Sequence, residues 1–191
     1  MLGNAREIIM AFWLAVGAVW LLTAFRLKPI ARVSDSASRI WEILILTCAA
    51  ELLFSERPRI AVLDARLLPH HAALVGMGVA LTVAGAVFTI AARLYLGRNW
   101  SATATIKQDH ELIRSGPYGW VRHPIYTGAL IAAIGTAIAL GEARDLLALP
   151  LIVVGFWLKL GSEERLLMSN FGDRYATYRR EVRGAIIPYL L

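Results

Sequence analysis

Residues 115–128, SGPYGWVRHPIYTG, place several chemically capable side chains directly before a long apolar segment. Arg122 can pair with a carboxylate through parallel N–H groups, and His123 can hold or release a proton near neutral pH. Pro124 is well tolerated in the first turn of a helix, so Arg122 and His123 are expected at a helix N-terminus, where free N–H groups and the helix dipole favour an anion. This stretch is the first candidate for a functional site.

The residues around the Arg-His pair add a turn and an aromatic hydroxyl. Gly116 and Pro117 predict a sharp bend before the pair. Tyr126 falls in the first turn of the following helix, where it could hydrogen-bond the polar end of a ligand or serve only as an aromatic residue of the membrane interface. Similar alternatives hold for the pair, since Arg122 could anchor to lipid headgroups and His123 could be a structural cap.

Two adjacent carboxylates, Glu163 and Glu164, follow the last apolar segment of the chain. Neighbouring residues of a helix point about 100° apart, so the two are not expected on one face. We expect one of them to accept hydrogen bonds from a ligand and the other to be a solvated charge. The residues that follow predict an amphipathic interfacial segment, with a break near Gly172 and its arginines toward lipid headgroups.

The composition indicates an all-α integral membrane protein, because 58% of the residues are hydrophobic and only 18% are charged. Since a membrane-spanning helix needs roughly 20 apolar residues, we expect about five spans, at residues 8–25, 40–54, 72–92, 125–140 and 146–160. The second is the least secure, because Glu42 and Glu51 are costly at membrane depth. The third is rich in small residues, which allow close helix packing.

Basic residues are concentrated in the loop after the third span and in the C-terminal tail, which places both on the cytoplasmic side. We divide the chain into membrane helices at residues 1–92 and a second half at residues 93–191, which carries the candidate functional residues. The net charge of +6 fits contact with anionic membrane lipids and not with nucleic acid. The single cysteine, Cys48, permits no intramolecular disulfide. We also expect no metal, since His70 and His71 lie in the opposite loop and are too few for a site.

The order of the motifs carries a family resemblance. DHELIRSGPYGWVRHPIYTG, then an apolar hairpin, then SEERLLMSNFGDRYATYRREV resembles the catalytic half of the isoprenylcysteine carboxyl methyltransferase family, and LGRNWS just upstream is also similar. The resemblance covers about residues 96–181. Phospholipid N-methyltransferases and membrane sterol reductases share the Arg-His-Pro-x-Tyr motif, so this motif alone does not determine the substrate.

The resemblance implies a methyltransferase that uses S-adenosylmethionine, bound between the segment after the third helix and the C-terminal segment. The catalytic residues implied are Arg122, Tyr126 and Glu163. The residues implied in cofactor binding are His110, Gly116, Tyr118, His123, Pro124, Tyr126, Glu163 and Glu164. The acceptor implied is a lipophilic carboxylate, such as an isoprenylcysteine, that enters from the bilayer. Amine methylation of a phospholipid and a non-enzymatic membrane scaffold remain the alternatives.

Overall fold

A computed structural model describes residues 2–24, 30–33, 36–55, 60–100, 105–107 and 111–188. Its α-helices are α1 (Leu2–Ala24), α2 (Ser36–Phe54), α3 (Ala72–Leu96), α4 (Pro124–Leu140), α5 (Ala143–Phe171) and α6 (Asp173–Glu181). Short 3₁₀-helices lie at Gly97–Asn99 and Gly116–Gly119. The strands β1 (Ile30–Val33) and β2 (Thr105–Lys107) pair antiparallel and form a small ribbon that the sequence did not predict.

The expected class of all-α integral membrane protein is confirmed. Within the described residues, three helical stretches are long and apolar enough to cross a membrane: Asn4–Ala24, Ala72–Asn99 and Ala143–Phe171. Helix α4 is apolar but shorter, and α2, which carries Glu42 and Glu51, is not among the three. The protein is therefore a multi-pass membrane protein, whereas the count of five spans stays a prediction.

Helices α3 and α4 pack at backbone contact because glycines face each other across the interface. A Cβ added at Gly85 would lie 2.4 Å from the backbone nitrogen of Ala132, and one added at Gly135 would lie 2.4 Å from that of Thr82. Gly78 and Gly128 are equally close to the partner helix. Small residues allow membrane helices to approach in this way, as the composition of the third span predicts.

Helix α2 lies along α5 through a second close contact. A Cβ at Gly155 would lie 2.5 Å from Leu46 Cδ2. Around this point, buried Ala49 and Leu53 of α2 pack with Ala148 and Ile152 of α5. These apolar contacts attach the first half of the chain to the helix that carries the two adjacent glutamates.

The hairpin of α4 and α5 is tighter and longer than expected. Helix α4 ends at Gly141, in the left-handed conformation with φ +71°, and Glu142 caps α5 in a reciprocal capping box with Asp145. Helix α5 then continues to Phe171. The fifth span was predicted to end at residue 160, followed by a separate interfacial helix, and this boundary is wrong. The break predicted near Gly172 is confirmed, because α6 begins at the next residue.

Candidate active site

The site begins with the turn that leads into α4. Gly116 has φ +58°, and a Cβ there would lie 2.7 Å from the ring of Tyr95, so a larger residue is excluded by both conformation and space. The turn continues as the 3₁₀-helix through Tyr118, and Pro124 opens α4 as expected, with His123 at the cap position. The bend predicted at Gly116 and Pro117 is confirmed.

The C-terminal residues 182–188, called here the tail strap, lie against the start of α4. The backbone N–H of Arg122 donates to the carbonyl of Gly184 at 3.0 Å, and that of His123 donates to the carbonyl of Ala185 at 2.8 Å. The hydroxyl of Thr127 donates to the carbonyl of Ile186 at 2.6 Å. The backbone amides of Arg122 and His123 are therefore not free for an anion, in contrast to the sequence-based expectation.

Arg122 joins α5 to the tail strap. Its Nε donates to Glu164 Oε1 at 2.7 Å, and its Nη1 donates to the carbonyls of Val182 at 2.8 Å and Arg183 at 2.6 Å. Both side chains of the ion pair are buried, with exposed fractions of 7% for Arg122 and 11% for Glu164. Arg179 Nε, on α6, reaches the other oxygen of Glu164 at 3.3 Å. Glu164 thus receives two guanidinium groups.

His123 lies between the two glutamates. Its Nδ1 is 3.4 Å from Glu163 Oε2, and its Nε2 is 3.6 Å from Glu164 Oε1. The hydroxyl of Tyr126 donates to Glu163 Oε1 at 2.5 Å, and its ring stacks parallel to the imidazole. The expectation that one glutamate is a solvated charge is wrong: both are largely buried, because the imidazole presents a nitrogen to each of them.

The charge state of His123 follows from this arrangement. Burial by itself lowers the pKa of the imidazole, but hydrogen bonding and charge attraction from Glu163 and Glu164 outweigh burial, so the pKa of His123 is raised above its usual value. The imidazolium form therefore persists to a higher pH than in an ordinary histidine side chain. A buried imidazole flanked by two carboxylates is the central electrostatic feature of the site.

Two tyrosines join three segments around the site. The hydroxyl of Tyr178 donates to the backbone carbonyl of Tyr118 at 2.7 Å, and the hydroxyl of Tyr118 donates to the carbonyl of Ala92 at 3.3 Å. Burial raises the pKa of both phenols, so both are neutral donors. These bonds fix α6 and the end of α3 around the turn before α4.

Two buried polar atoms next to Glu164 have no hydrogen-bond partner of normal geometry within the described residues: His123 Nε2 and the hydroxyl of Tyr175. Tyr175 was not among the predicted site residues. It is the first tyrosine of FGDRYATY, so the motif quoted for the resemblance contained the signal. Buried polar atoms that lack a hydrogen-bond partner mark positions where a polar ligand or water is expected to bind.

The structure brings together most of the predicted residues, namely Arg122, His123, Pro124, Tyr126, Glu163 and Glu164. Gly116 and Tyr118 lie on the adjoining turn. His110 lies outside the described residues. A cavity of about 290 Å³ opens beside Trp120, between this turn and the tail strap. Among the described residues no His, Cys, Asp and Glu cluster suits a metal ion, and the expectation of no metal stays a prediction.

The fold and the site define a multi-pass membrane protein with a buried cluster of charged residues at one end of a helical hairpin. Residues 78–169 match the model of the Isoprenylcysteine carboxyl methyltransferase (ICMT) family. The resemblance to this family, expected from the ordered motifs, is confirmed.

Individual relatives give the extent of the similarity. The chain is 37% identical over 98 residues to a protein-S-isoprenylcysteine O-methyltransferase of Schizosaccharomyces pombe, covering 50% of this chain and 42% of the relative. It is 32% identical over 123 residues to the enzyme of that name in Tribolium castaneum, covering 61% of this chain and 42% of the relative.

A solved structure extends the similarity beyond the matched sequence segment. It is that of the eukaryotic intramembrane Ras methyltransferase ICMT, with a TM-score of 0.54 and 26% sequence identity, and it covers 82% of this chain and 55% of that chain. The chain thus spans about two fifths of the length of the first curated relatives it matches and about half of the solved structure.

Proposed function

We propose that this chain is an integral-membrane methyltransferase that uses S-adenosylmethionine to methylate the carboxylate of an isoprenylcysteine or a similar lipophilic acid. The similarity to proteins named protein-S-isoprenylcysteine O-methyltransferase supports the reaction class. The observation that carries the proposal is the position of His123 between Glu163 and Glu164, with Tyr126 and Arg122 completing the cluster. These residues come from motifs that are distant in the sequence and meet at one point.

The described residues fit the proposed cofactor. S-adenosylmethionine carries an ammonium, a carboxylate, ribose hydroxyls and an adenine, and when bound it supplies a methyl group that is already activated. Glu163 and Glu164 can accept hydrogen bonds from its ammonium or hydroxyls, and the buried Tyr175 hydroxyl, which has no hydrogen-bond partner of normal geometry within the described residues, can also bond to it. Gly116 and the ring of Tyr118 can shape an apolar surface for the adenine. The role of His110 stays a prediction.

The charge state of the site favours a carboxylate acceptor over an amine. An amine near neutral pH must lose a proton before it can attack, which requires a base. Both ring nitrogens of His123 face glutamates, and Glu163 and Glu164 already accept hydrogen bonds from Tyr126 and Arg122. A carboxylate is ionised near neutral pH and needs no base. This difference supports O-methylation over phospholipid N-methylation.

Arg122 can contribute to both structure and substrate binding. Its Nε and Nη1 are bonded to Glu164 and the tail strap, whereas Nη2 makes no hydrogen bond within the described part of the chain. Nη2 is therefore the guanidinium nitrogen that can still reach a substrate carboxylate. Because three hydrogen bonds already hold the Arg122 side chain, it would align the acceptor carboxylate with little further loss of side-chain entropy. Such alignment in a site that excludes water lowers the activation barrier of methyl transfer.

We also place the site on the cytoplasmic side, since the basic residues of the segment after α3 and of the tail favour that side. The soluble cofactor would then enter from the cytosol and the acceptor from the bilayer. Cysteine labelling at Ser115 and Ser169, in a Cys48→Ala background, tests this topology. Labelling of the two positions from opposite faces would refute it.

The function itself is tested by labelled methyl transfer with purified protein. The acceptors are a farnesylated cysteine analogue and, in parallel, phosphatidylethanolamine, and the control is the analogue with its carboxylate amidated. We expect label in the farnesylcysteine ester only. Transfer to the phospholipid alone would refute the carboxylate acceptor. Calorimetry in which folded protein binds neither S-adenosylmethionine nor its demethylated product would refute the methyltransferase and leave the scaffold alternative.

A further inference from the structure

A buried ion pair connects α2 to the helix that carries the candidate active site. Lys159 Nζ of α5 is 3.0 Å from Glu42 Oε1 of α2, with exposed fractions of 12% for Lys159 and 5% for Glu42. Glu42 lies outside residues 78–169, the segment that matches the family. Lys159 lies one helical turn before Glu163, and residues four apart on a helix share one face. Its ammonium is near enough to interact electrostatically with Glu163.

This pair extends the cluster into a series of alternating charges. From α2 inward the order is Glu42, Lys159, Glu163, His123, Glu164 and Arg122. The nitrogen–oxygen distances along it are 3.0 Å between Lys159 and Glu42, 3.4 Å between His123 and Glu163, 3.6 Å between His123 and Glu164, and 2.7 Å between Arg122 and Glu164. Each charge in the series has neighbours of the opposite sign. Removing a charge at one end therefore changes the electrostatic potential at the other end.

Helix attachment alone does not explain the pair. Burying two charges has a desolvation cost that often cancels their attraction, so a buried ion pair is weak evidence for stability. Helix α2 already packs on α5 through Gly155 and Leu46 and through the apolar residues near them. A largely buried pair of charges between helices of a membrane protein is therefore a candidate for a functional role.

We propose that Glu42 and Lys159 are a positioning pair for Glu163, through which the first half of the chain sets the electrostatic field at the candidate active site. Glu42 holds the Lys159 ammonium on the side of α2. From there the ammonium attracts the Glu163 carboxylate weakly enough that Glu163 keeps its contacts with Tyr126 and His123. The importance of this for methyl transfer rests on the proposed function. The electrostatic link itself does not, and it can be measured in the protein without cofactor.

His123 is the reporter for this link. The groups that face it are Glu163 and Glu164 from α5 and Tyr126 from α4, and Arg122, Arg179 and Tyr175 act on it through Glu164. Removing the negative charge of Glu42 makes the local potential more positive, so the pKa of His123 falls. Removing the positive charge of Lys159 makes the local potential more negative, so the pKa of His123 rises. Removing both deletes a neutral pair and leaves His123 nearly unchanged.

The experiment is the titration of labelled histidine side chains by NMR in detergent, with no cofactor present. The chain has four histidines, and His123→Asn identifies the signal of His123 by its loss. In Glu42→Gln we expect the pKa of His123 to fall by on the order of 0.5 to 1 unit, from the attraction of unit charges several ångströms apart in a medium of intermediate dielectric constant. In Lys159→Met we expect a rise, and in the double variant a return toward the original value.

Arg174→Met is the matched control, because it removes one positive charge from an exposed position on α6 and should leave His123 unchanged. Thermal unfolding verifies that each variant is folded, and if one single variant does not fold, the other is compared with the double variant. Opposite shifts that cancel in the double variant support the pair. The proposal is overturned if His123 titrates as in the original protein in every folded variant, or moves in the same direction in both single variants. Because no methyl transfer is measured, neither result depends on the proposed function.

Discussion

Replacement of Arg122 by alanine should release the tail strap from the start of α4. The guanidinium makes three of the hydrogen bonds that connect α5, through Glu164, to the carbonyls of Val182 and Arg183. The variant leaves Glu164 with Arg179, which approaches from a side chain that is 47% exposed. The change therefore removes the buried partner and keeps the exposed one.

The magnitude follows from the bonds to the strap. The two hydrogen bonds from Arg122 Nη1 to the carbonyls of Val182 and Arg183 hold the strap closed, and a hydrogen bond to a charged group is worth about 1.5–3 kcal/mol. Glu164 keeps Arg179 and His123 as partners in the variant, so the loss of these two bonds accounts for the effect on the strap. Water can reach the two carbonyls if residues 182–188 move away, so we expect local opening of the tail strap before global unfolding. A loss of about 3 kcal/mol raises the open population by more than a hundredfold.

Limited trypsin digestion measures this opening, since cleavage after Arg183 requires the strap to leave α4. Where opening and closing are fast, the cleavage rate follows the open population. Intact-mass analysis then gives the rate for each protein. We expect cleavage of Arg122→Ala to be faster by a hundredfold or more, and methyl transfer to fall with it.

Arg179→Ala is the control, because it removes a second guanidinium from the same glutamate. An exposed ion pair is typically worth about 0–1 kcal/mol, so its effect should be within a factor of about five. Equal cleavage rates for the two variants, or an Arg122→Ala protein with the original protection, would show that Arg122 does not hold the strap.

Four further results are expected. Tyr126→Phe removes a hydrogen bond to a carboxylate worth about 1.5–3 kcal/mol, so methyl transfer should fall at least about tenfold, with unchanged transfer as the contrary result. Glu163→Gln should weaken S-adenosylmethionine binding in calorimetry, and undiminished affinity would remove Glu163 from the proposed site. Gly135→Val should lower the melting temperature because it separates α3 from α4, whereas Gly76→Val, with nothing within 4 Å, should not. Because the pKa of His123 is raised in the fold, its stabilisation is complete below a pH of about 6.5 and is lost as pH rises through the raised value, so His123→Asn should flatten this part of the stability profile.

The sequence predicted helix boundaries correctly where the end of an apolar segment coincides with a residue that restricts the backbone. The start of α4 at Pro124 and the break at Gly172 both have local causes, since each residue restricts the backbone at its own position. The predicted end of α5 was wrong because Lys159, Glu163 and Glu164 end the apolar segment without ending the helix. Leu, Lys and Glu are good helix formers, so the helix continues after the apolar run ends.

The parts of the site that the sequence did not predict are contacts without a local pattern. The tail strap binds Arg122 and His123 through backbone groups, which any residue carries, so no residue type marks the pairing. Glu42 and Lys159 are 117 positions apart, and neither lies in the motifs that suggested the site. The sequence indicated only the angle of about 100° between Glu163 and Glu164 on α5. It therefore did not show that the imidazole of His123 fits between the two carboxylates and contacts both.

The position of the site at the mouth of an apolar hairpin follows from helix lengths. With a rise of 1.5 Å per residue, His123 lies about 26 Å from the turn at Gly141, along the 17 residues of α4. Glu163 lies 20 positions after Ala143, which is about 30 Å along α5 from the same turn. Because the two helices run antiparallel from a two-residue link, both side chains arrive at the same depth. The apolar length of the hairpin therefore sets where the charged residues meet, at the end of the hairpin opposite the turn at Gly141.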